Sequence, residues 1–246
     1  MSDVDSARAA LVIGAGGGLG GAVLRALVER DEHDVVYGVS RAPAPAAPAA
    51  EGRMQWLICD NSADGIREVL QRIAAGPALD RVVICNGVLH GEDLKPEKAL
   101  EQIDADAMLS VLQANAVVPI QWLSALTGTL RRSPGAVVAV FSARVGSIAD
   151  NRMGGWYSYR ASKAALNMLL KSAAIELARR APRVKLIAFH PGTTDTPLSK
   201  PFQANVPPEK LFTPAFVAGQ LLTLMDEARS DGQLDYLDWA GEPIAW

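Results

Sequence analysis

The chain has 246 residues, a formal net charge of −3 and 49% hydrophobic residues, which is ordinary for a folded water-soluble domain. Because there is no basic excess, the charge gives no support for nucleic-acid binding, and the absence of an apolar run of about 18 residues predicts no membrane partner. Cys59 and Cys85 are too few for a disulfide framework or a closed zinc site, and we expect both to be small buried hydrophobes. The acidic first residues differ from a signal peptide, so we expect a reducing, cytoplasmic setting.

Short apolar runs alternate with longer segments of helical period along the whole chain. This alternation predicts one α/β domain over residues 1–246, built on a doubly wound parallel sheet with helices on both faces. Residues 41–50, which are rich in Ala and Pro, are expected to form an extended loop between two strands. The predicted strands are 9–13, 35–39, 55–58, 81–84, 137–141, 184–189 and 234–238, and the predicted helices are 19–30, 63–75, 105–130, 156–181 and 214–225.

A glycine-rich segment over 14–21 follows the first strand and opens the first helix. A backbone without Cβ atoms can approach a pyrophosphate closely, and the following helix N-terminus offers unpaired N–H groups. The position between strand and helix therefore predicts dinucleotide binding on a Rossmann-type sheet. Two registers fit the pattern: Gly16, Gly18 and Gly21, or Gly14, Gly18 and Gly20.

The end of the second strand indicates which dinucleotide is preferred. An NAD site usually has an acidic residue there to bind the ribose hydroxyls, but this chain has Ser40 and Arg41. A cationic side chain suits a 2′-phosphate, so NADP(H) is favoured over NAD(H). Asp60, after the third strand, could contact the adenine or could cap the next helix.

Tyr159 and Lys163 are four residues apart on a predicted helix and therefore share one face. A phenol has a pKa of about 10 and is a poor proton donor at neutral pH. A neighbouring ammonium stabilises the phenolate and lowers that pKa, as proton donation to a carbonyl oxygen requires. The pair alone is a weak signal, because a surface pair has the same spacing.

In combination, these motifs resemble those of the short-chain dehydrogenase/reductase family over nearly the whole chain. The segment from Val145 to Asn167 is most similar to the C-signal-like and sniffer-like carbonyl reductase branch. The motifs that carry the resemblance are Gly14-x-x-x-Gly18-Leu19-Gly20, Asn86-Gly87, Asn115, Ser142, Tyr159-x-x-x-Lys163 and Pro191-Gly192.

The resemblance implies an oxidoreductase that interconverts a carbonyl and an alcohol of a small molecule. Tyr159 would protonate the carbonyl oxygen, Lys163 would hold the nicotinamide ribose, a serine would fix the carbonyl, and Asn115 would hold a water that links Lys163 to solvent. No metal is expected. The residues expected to contact the cofactor are Gly14, Gly16, Gly18, Leu19, Gly20, Ser40, Arg41, Asp60, Asn86, Gly87, Lys163, Pro191, Gly192, Thr193 and Thr194.

Two positions depart from the family pattern. Asn86 stands where alanine is usual, and alignment on Gly146 puts Ala143 where the family has its substrate-binding serine. We expect Ser142 to take over that role, with Ser147 as the alternative. The missing serine also supports a second hypothesis, a regulatory or signalling protein that binds the dinucleotide with little turnover.

The proline-containing segment 193–212 is long enough to be a substrate lid. Aromatic residues at the C-terminal end, including Trp239 and Trp246, suggest burial against another subunit, and the family is commonly dimeric or tetrameric. We therefore expect a homodimer or homotetramer. Candidate residues for an apolar substrate pocket are Leu198, Phe202, Phe212, Met153 and Trp156.

Overall fold

A computed structural model describes residues 7–44 and 52–246. Most of the predicted loop over 41–50 and the first six residues therefore lie outside the described residues. The strands are β1 (Arg8–Ile13), β2 (Val35–Ser40), β3 (Met54–Ile58), β4 (Ala78–Ile84), β5 (Ala136–Phe141), β6 (Val184–His190), β7 (Thr193–Thr194), β8 (Leu211–Phe212) and β9 (Leu234–Asp238); the α-helices are α1 (Gly18–Glu29), α2 (Ala63–Ala74), α3 (Ala105–Leu112), α4 (Val118–Arg132), α5 (Tyr157–Arg180) and α6 (Pro214–Glu227).

Seven of the described strands form one parallel sheet in the order β3-β2-β1-β4-β5-β6-β9. The chain builds outward from β1 to one edge, returns to the centre at β4, and then builds outward to the other edge. Such an order confirms the predicted doubly wound α/β sheet of Rossmann type. The strand β7 pairs with β8 in a separate two-stranded sheet.

Both faces of the sheet are covered by helices, which explains why its strands are solidly apolar. Leu11 and Ile13 of β1 face the core shared with α2, α4 and α5, whereas Ala10 and Val12 face the core shared with α1 and α6. These side chains are fully buried. Because successive residues of a strand point to opposite faces, each one contributes to a core.

The segment Ala105–Arg132 is long and apolar enough, by length and composition, to cross a membrane. It packs instead against β4, α2 and α5, and its residues Trp122 and Leu126 are fully buried. We therefore regard it as a core helix of the α/β fold. Its helical turns widen to π-helix over Gln113–Val117, between α3 and α4.

The return of the chain at β4 creates a crevice beyond the carboxyl ends of β1 and β4. In open parallel sheets this switch point is where ligands bind, because the adjacent loops diverge to opposite faces. The loops that follow β1, β2, β4, β5 and β6 all lie at this edge. They carry most of the residues that the motifs single out.

Candidate active site

The glycine turn after β1 is closed by contacts that leave no room for side chains at two positions. Gly14 has φ +83°, and a Cβ there would lie 3.2 Å from the Cys85 carbonyl carbon. A Cβ on Gly20 would overlap the Gly14 carbonyl oxygen. These constraints fit the register of Gly14, Gly18 and Gly20, so they favour one of the two registers that the sequence leaves open.

A cleft of about 670 Å³ runs from this turn along the carboxyl edge of the sheet. The helix α1 begins at Gly18 after a glycine, so its first N–H groups have no side-chain cap. The side-chain oxygen of Asn86 is buried without a hydrogen-bond partner at the cleft wall. Unpaired donors, a helix N-terminus and an orphaned amide fit an extended dinucleotide. The residues lining the cleft include Gly14, Gly16, Gly17, Ser40, Arg41, Asn61, Cys85, Asn86 and Gly87.

Of the predicted cofactor residues at the ends of β2 and β3, those at the end of β2 line the cleft and Asp60 after β3 does not. Ser40 and Arg41 line the cleft, and Arg41 is exposed at its rim. Asp60 is exposed, and hydrogen bonding from the Ser62 side chain, together with that from the Ser62 amide at 2.8 Å, lowers the pKa of the Asp60 carboxyl. The cap of α2 is Ser62, whose hydroxyl accepts a hydrogen bond from the Gly65 amide at 3.1 Å, so the expected capping role of Asp60 is wrong. Its contact with the adenine stays a prediction, and the neighbouring Asn61 lines the cleft.

Tyr159 and Lys163 lie side by side in the first turns of α5. The Lys163 Nζ lies 6.0 Å from the centroid of the Tyr159 ring and donates a hydrogen bond to the Phe141 carbonyl at 2.8 Å. Lys163 is only 3% exposed. A Cβ on Gly87 would lie 3.7 Å from the same Nζ, so the lysine stands at the inner end of the cofactor cleft.

The expected lowering of the tyrosine pKa by the neighbouring ammonium is not seen. Burial, with a smaller effect from the Tyr236 phenol, raises the pKa of Tyr159 to about 12. Burial also lowers the pKa of Lys163 to about 8. Desolvation disfavours the charged form of each group, so the phenol stays neutral at physiological pH and the Lys163 ammonium loses its proton more readily than that of an exposed lysine.

Asn115 lies in the π-helical turn and is fully buried. Its Oδ1 accepts a hydrogen bond from the Val88 amide at 2.7 Å, and its Nδ2 donates to the Val88 carbonyl at 2.9 Å and to Ser162 Oγ at 3.0 Å. The side chain therefore clamps the loop after β4 to α5. Its expected role in holding a water beside Lys163 stays a prediction.

The hydroxyls near the missing serine are engaged within the protein. Ser142 Oγ donates to Asn167 Oδ1 at 2.6 Å, and Ser147 Oγ accepts from the Asp150 amide at 3.0 Å. The Tyr236 hydroxyl donates to the Ala143 carbonyl at 2.7 Å. Reaching a substrate carbonyl would require Ser142 to exchange its present partner, so its assignment stays a prediction.

The segment after β6 carries the predicted Pro191–Thr194 motif. Thr194 is buried, and its hydroxyl donates to the Pro191 carbonyl at 3.3 Å. His190 just precedes it, and burial, with help from Arg144, lowers the pKa of His190 to about 4. The His190 ring is thus neutral at physiological pH.

Gly192, within the same motif, has φ +69° and packs against the ring of Phe212.

The proposed lid segment contacts three parts of the site. Thr196 packs against Gly18 of the glycine turn, and the Pro197 carbonyl lies 3.1 Å from His90 Nε2. The Phe202 ring lies 4.9 Å from the Trp156 ring, which in turn lies 6.2 Å from that of Tyr159.

Of the remaining pocket candidates, Phe212 has its ring centroid 4.4 Å from that of Trp239, the residue directly after β9. Met153 is 91% exposed. The aromatic wall beside Tyr159 therefore consists of Trp156 and Phe202. Leu198 is half-buried.

Residues 8–207 match the family model for short chain dehydrogenases. The chain belongs to this family. It is 30% identical over 239 residues to a 1-hydroxy-2-glutathionyl-2-methyl-3-butene dehydrogenase of Rhodococcus sp. (strain AD45), covering 96% of this chain and 98% of the relative. It is 32% identical over 148 residues to the C-signal protein of Myxococcus xanthus, covering 60% of this chain and 84% of that protein.

Among solved structures, the fold is similar to an NADPH-bound carbonyl reductase from chicken fatty liver, with a TM-score of 0.84 and 20% identity over 98% of this chain and 95% of that one. The predicted family and its C-signal-like and carbonyl reductase branch are thereby confirmed. This short-chain dehydrogenase is an oxidoreductase that uses a nicotinamide dinucleotide.

Sequence reasoning missed three parts of this short-chain dehydrogenase site. Asn61 lines the cleft, and Asn167 and Tyr236 bind the Ser142 hydroxyl and the Ala143 carbonyl; no motif indicated these contacts, which depend on the fold. The buried carboxylate of Glu97 contacts the start of α5 and lies in a loop that carries no recognisable sequence motif. The position of Asn61 in the turn between β3 and α2, at the carboxyl edge of the sheet, could have indicated that it lines the cleft.

Proposed function

We propose that this enzyme interconverts a carbonyl and an alcohol of a small molecule by hydride transfer with NADP(H). The observation that carries the proposal is the Tyr159–Lys163 pair, in which the lysine is buried, next to Gly87 of the glycine-lined cleft. In that position, a phenol beside a cofactor cleft can exchange a proton with a substrate oxygen. The bound cofactor supplies the hydride.

The chain's own residues divide the remaining work. Tyr159 gives the proton to the carbonyl oxygen, or takes it in the reverse direction. Lys163 holds the nicotinamide ribose and stabilises the phenolate, which offsets the burial that raises the pKa of Tyr159. Asn115 keeps the loop after β4 against α5, so that Gly87 and Lys163 stay together. Ser142 or Ser147 would orient the carbonyl.

The cofactor lies along the remaining predicted residues. Gly14, Gly16, Gly18, Leu19 and Gly20 would bind the pyrophosphate at the start of α1, where unpaired N–H groups and the helix dipole favour anions. Asn86 would pair its buried oxygen with the cofactor. The segment from Pro191 to Thr194 would border the nicotinamide.

The preference for NADP(H) follows from the rim of the cleft. Arg41 is exposed beside Ser40, and neither is an acid that would repel a phosphate. A guanidinium binds phosphate with paired, charge-assisted hydrogen bonds.

We expect Arg41→Asp to reverse the cofactor preference, because a carboxylate repels the 2′-phosphate and accepts hydrogen bonds from the two ribose hydroxyls of NAD(H). Titrations of NADPH and NADH against both proteins measure the change, and NADPH affinity should fall at least about tenfold. Arg53→Asp, at a position that does not line this cleft, is the matched control. Unchanged NADPH selectivity in the Arg41 variant would remove Arg41 from the site.

Turnover separates the enzyme from the alternative, a regulatory protein that binds the dinucleotide with little turnover. The observation that favours the alternative is that the Ser142 and Ser147 hydroxyls, on either side of Ala143, already form hydrogen bonds within the protein. The tests are oxidation of NADPH with a panel of aldehydes, ketones and quinones, and reduction of NADP⁺ with the matching alcohols. We expect turnover with at least one pair. Saturable NADPH binding without any turnover would establish the alternative.

Four further proposals complete the functional description. The whole chain acts as one domain, and the segment 193–212 closes over the substrate, which its contacts with Gly18, His90 and Trp156 support. The enzyme works in the cytoplasm. It assembles as a homodimer or homotetramer, and light scattering of the purified protein measures that state directly.

A further inference from the structure

A buried carboxylate that belongs to none of the predicted motifs contacts the residues just before Tyr159. Glu97 lies in the loop between β4 and α3 and is only 6% exposed. Its Oε2 accepts a hydrogen bond from the Ser158 amide at 3.2 Å, and its Oε1 accepts one from the Ser158 hydroxyl. Its main-chain oxygen accepts from the Trp156 amide at 2.5 Å. One residue thus supplies three hydrogen bonds to the start of α5.

The backbone held by these bonds is strained. Gly154, Gly155 and Trp156 have φ values of +64°, +64° and +52°, three consecutive left-handed residues. For a bulky residue such as tryptophan this conformation is uncommon and costs energy, so it persists only when surrounding contacts impose it. The bond from the Trp156 amide to Glu97 is such a contact. The opposite side of the turn is held by Arg160, which donates to the Gly155 carbonyl at 3.0 Å.

The charge of Glu97 suits this place. The first N–H groups of a helix have no intrahelical partners, and the N-terminal end of the helix dipole favours a negative charge. Trp156 precedes α5 without a side-chain cap, and the Glu97 carboxylate supplies that cap from 61 residues away. The cap fixes the first turn of the helix, which contains Tyr159.

We propose that Glu97 is a positioning residue for Tyr159 and for the Trp156 ring beside it. This inference rests on the proposed function, because the reacting group that it positions is Tyr159. Glu97 holds the strained turn so that the phenol faces the cofactor cleft and the Trp156–Phe202 wall stands next to it. Glu97 itself is not among the residues lining the cofactor cleft.

The test compares Glu97→Ala with Glu97→Gln. The alanine variant loses both side-chain bonds to Ser158. The glutamine variant keeps them without the charge, because its carbonyl accepts from the amide and its NH₂ donates to the hydroxyl. We expect Glu97→Ala to lower kcat between about tenfold and a hundredfold, as displacement of a reacting group does. We expect Glu97→Gln to keep kcat within about threefold of wild type, and NADPH Kd to change less than about threefold in both.

Two measurements make the result decisive. Rates are expressed per folded molecule, counted by NADPH titration, so that lost stability is not read as lost kcat. Hydrogen exchange of the amides of residues 157–160 should accelerate in Glu97→Ala but not in Glu97→Gln, and this readout needs no turnover. Gln102→Ala is the matched control, because Gln102 accepts from the Lys98 amide at 2.8 Å in the same loop and makes no bond to α5.

Each outcome decides the proposal. A wild-type kcat in Glu97→Ala, or unchanged amide exchange, would overturn it. An equal loss in the glutamine variant would show that charge and not positioning matters. If Glu97→Ala does not fold, Ser158→Ala replaces it: a kcat lowered about threefold to tenfold supports the role, and an unchanged kcat refutes it. A wild-type protein without turnover would refute only the carbonyl reaction, because the amide exchange of residues 157–160 still shows whether Glu97 holds the start of α5.

Discussion

Replacing Tyr159 by phenylalanine should abolish measurable turnover while leaving the cofactor site intact. The change removes one oxygen from a ring that is half-buried between Trp156 and Lys163, so the packing of α5 is preserved. A positioned proton donor contributes between about a hundredfold and ten-thousandfold to a rate, and we expect kcat to fall by that range. NADPH affinity should stay within about threefold, because the phenol lies beyond the glycine turn that holds the dinucleotide.

Tyr157→Phe is the matched control for this experiment. Tyr157 lies on the same helix, loses the same atom, and is six residues from Lys163, about 120° around the helix from it. Its kcat should equal that of the wild type. Full activity in Tyr159→Phe would remove the phenol from the chemistry and leave the proposed reaction without its proton donor.

The sequence was sufficient for the sheet and most helices because the signals there are local. Apolar runs end in glycine or polar residues, and the helix predicted over 63–75 is observed as Ala63–Ala74. The strand predicted over 81–84 begins earlier, at Ala78. The polar residue Asp80, just before the predicted start, belongs to the strand because it is buried and paired with His33 Nε2 at 2.8 Å.

Features that depend on distant contacts could not be predicted. The helix predicted over 105–130 contains a π turn, because Asn115 bonds to both backbone groups of Val88, 27 residues earlier. No pattern within the helix encodes that partner. The two-residue pairing of β7 with β8 inside the proposed lid is likewise set by the fold of the segment and not by strand propensity.

The candidate site divides in the same way. The Tyr159–Lys163 pair follows from helical spacing, and the glycine turn follows from its place between strand and helix. The pKa shifts do not follow, because they depend on burial that sequence spacing does not report. The partners of Ser142 and Glu97 come from other elements, so their present contacts could be read only from the folded chain.

Replacing Lys163 by methionine should impair both chemistry and cofactor binding, unlike the Tyr159 variant. Methionine fills the same buried channel but cannot donate to the Phe141 carbonyl, which then loses its 2.8 Å partner. The amine is also next to Gly87 at the inner end of the cleft, where it would hold the ribose. We expect kcat to fall at least about a hundredfold and NADPH Kd to rise at least about tenfold. Steady-state kinetics and NADPH titration measure the two changes.

The matched control is Lys171→Met, two turns further along α5, where the amine donates to Gln233 at the surface. It should retain wild-type kcat and Kd, and a loss equal to that of Lys163→Met would mean that the helix and not the site is being damaged. An unchanged NADPH Kd in Lys163→Met would exclude the lysine from the ribose and leave it a role on the phenol alone.

The pH dependence of stability offers a second measurement on the same variant. Burial lowers the pKa of Lys163 from 10.5 to about 8, so between these values the unfolded chain binds more protons than the folded protein. The contribution of Lys163 to the free energy of unfolding therefore rises from pH 8 towards pH 10.5. Chemical denaturation at pH 8 and pH 10 measures this rise in the wild type and in Lys171→Met relative to Lys163→Met, because the buried thiols and phenols, whose raised pKa values act in the opposite sense, are common to all three proteins. Lys163→Met should lack it, because a thioether binds no proton, and an equal rise in that variant would mean that the buried amine does not titrate in this range.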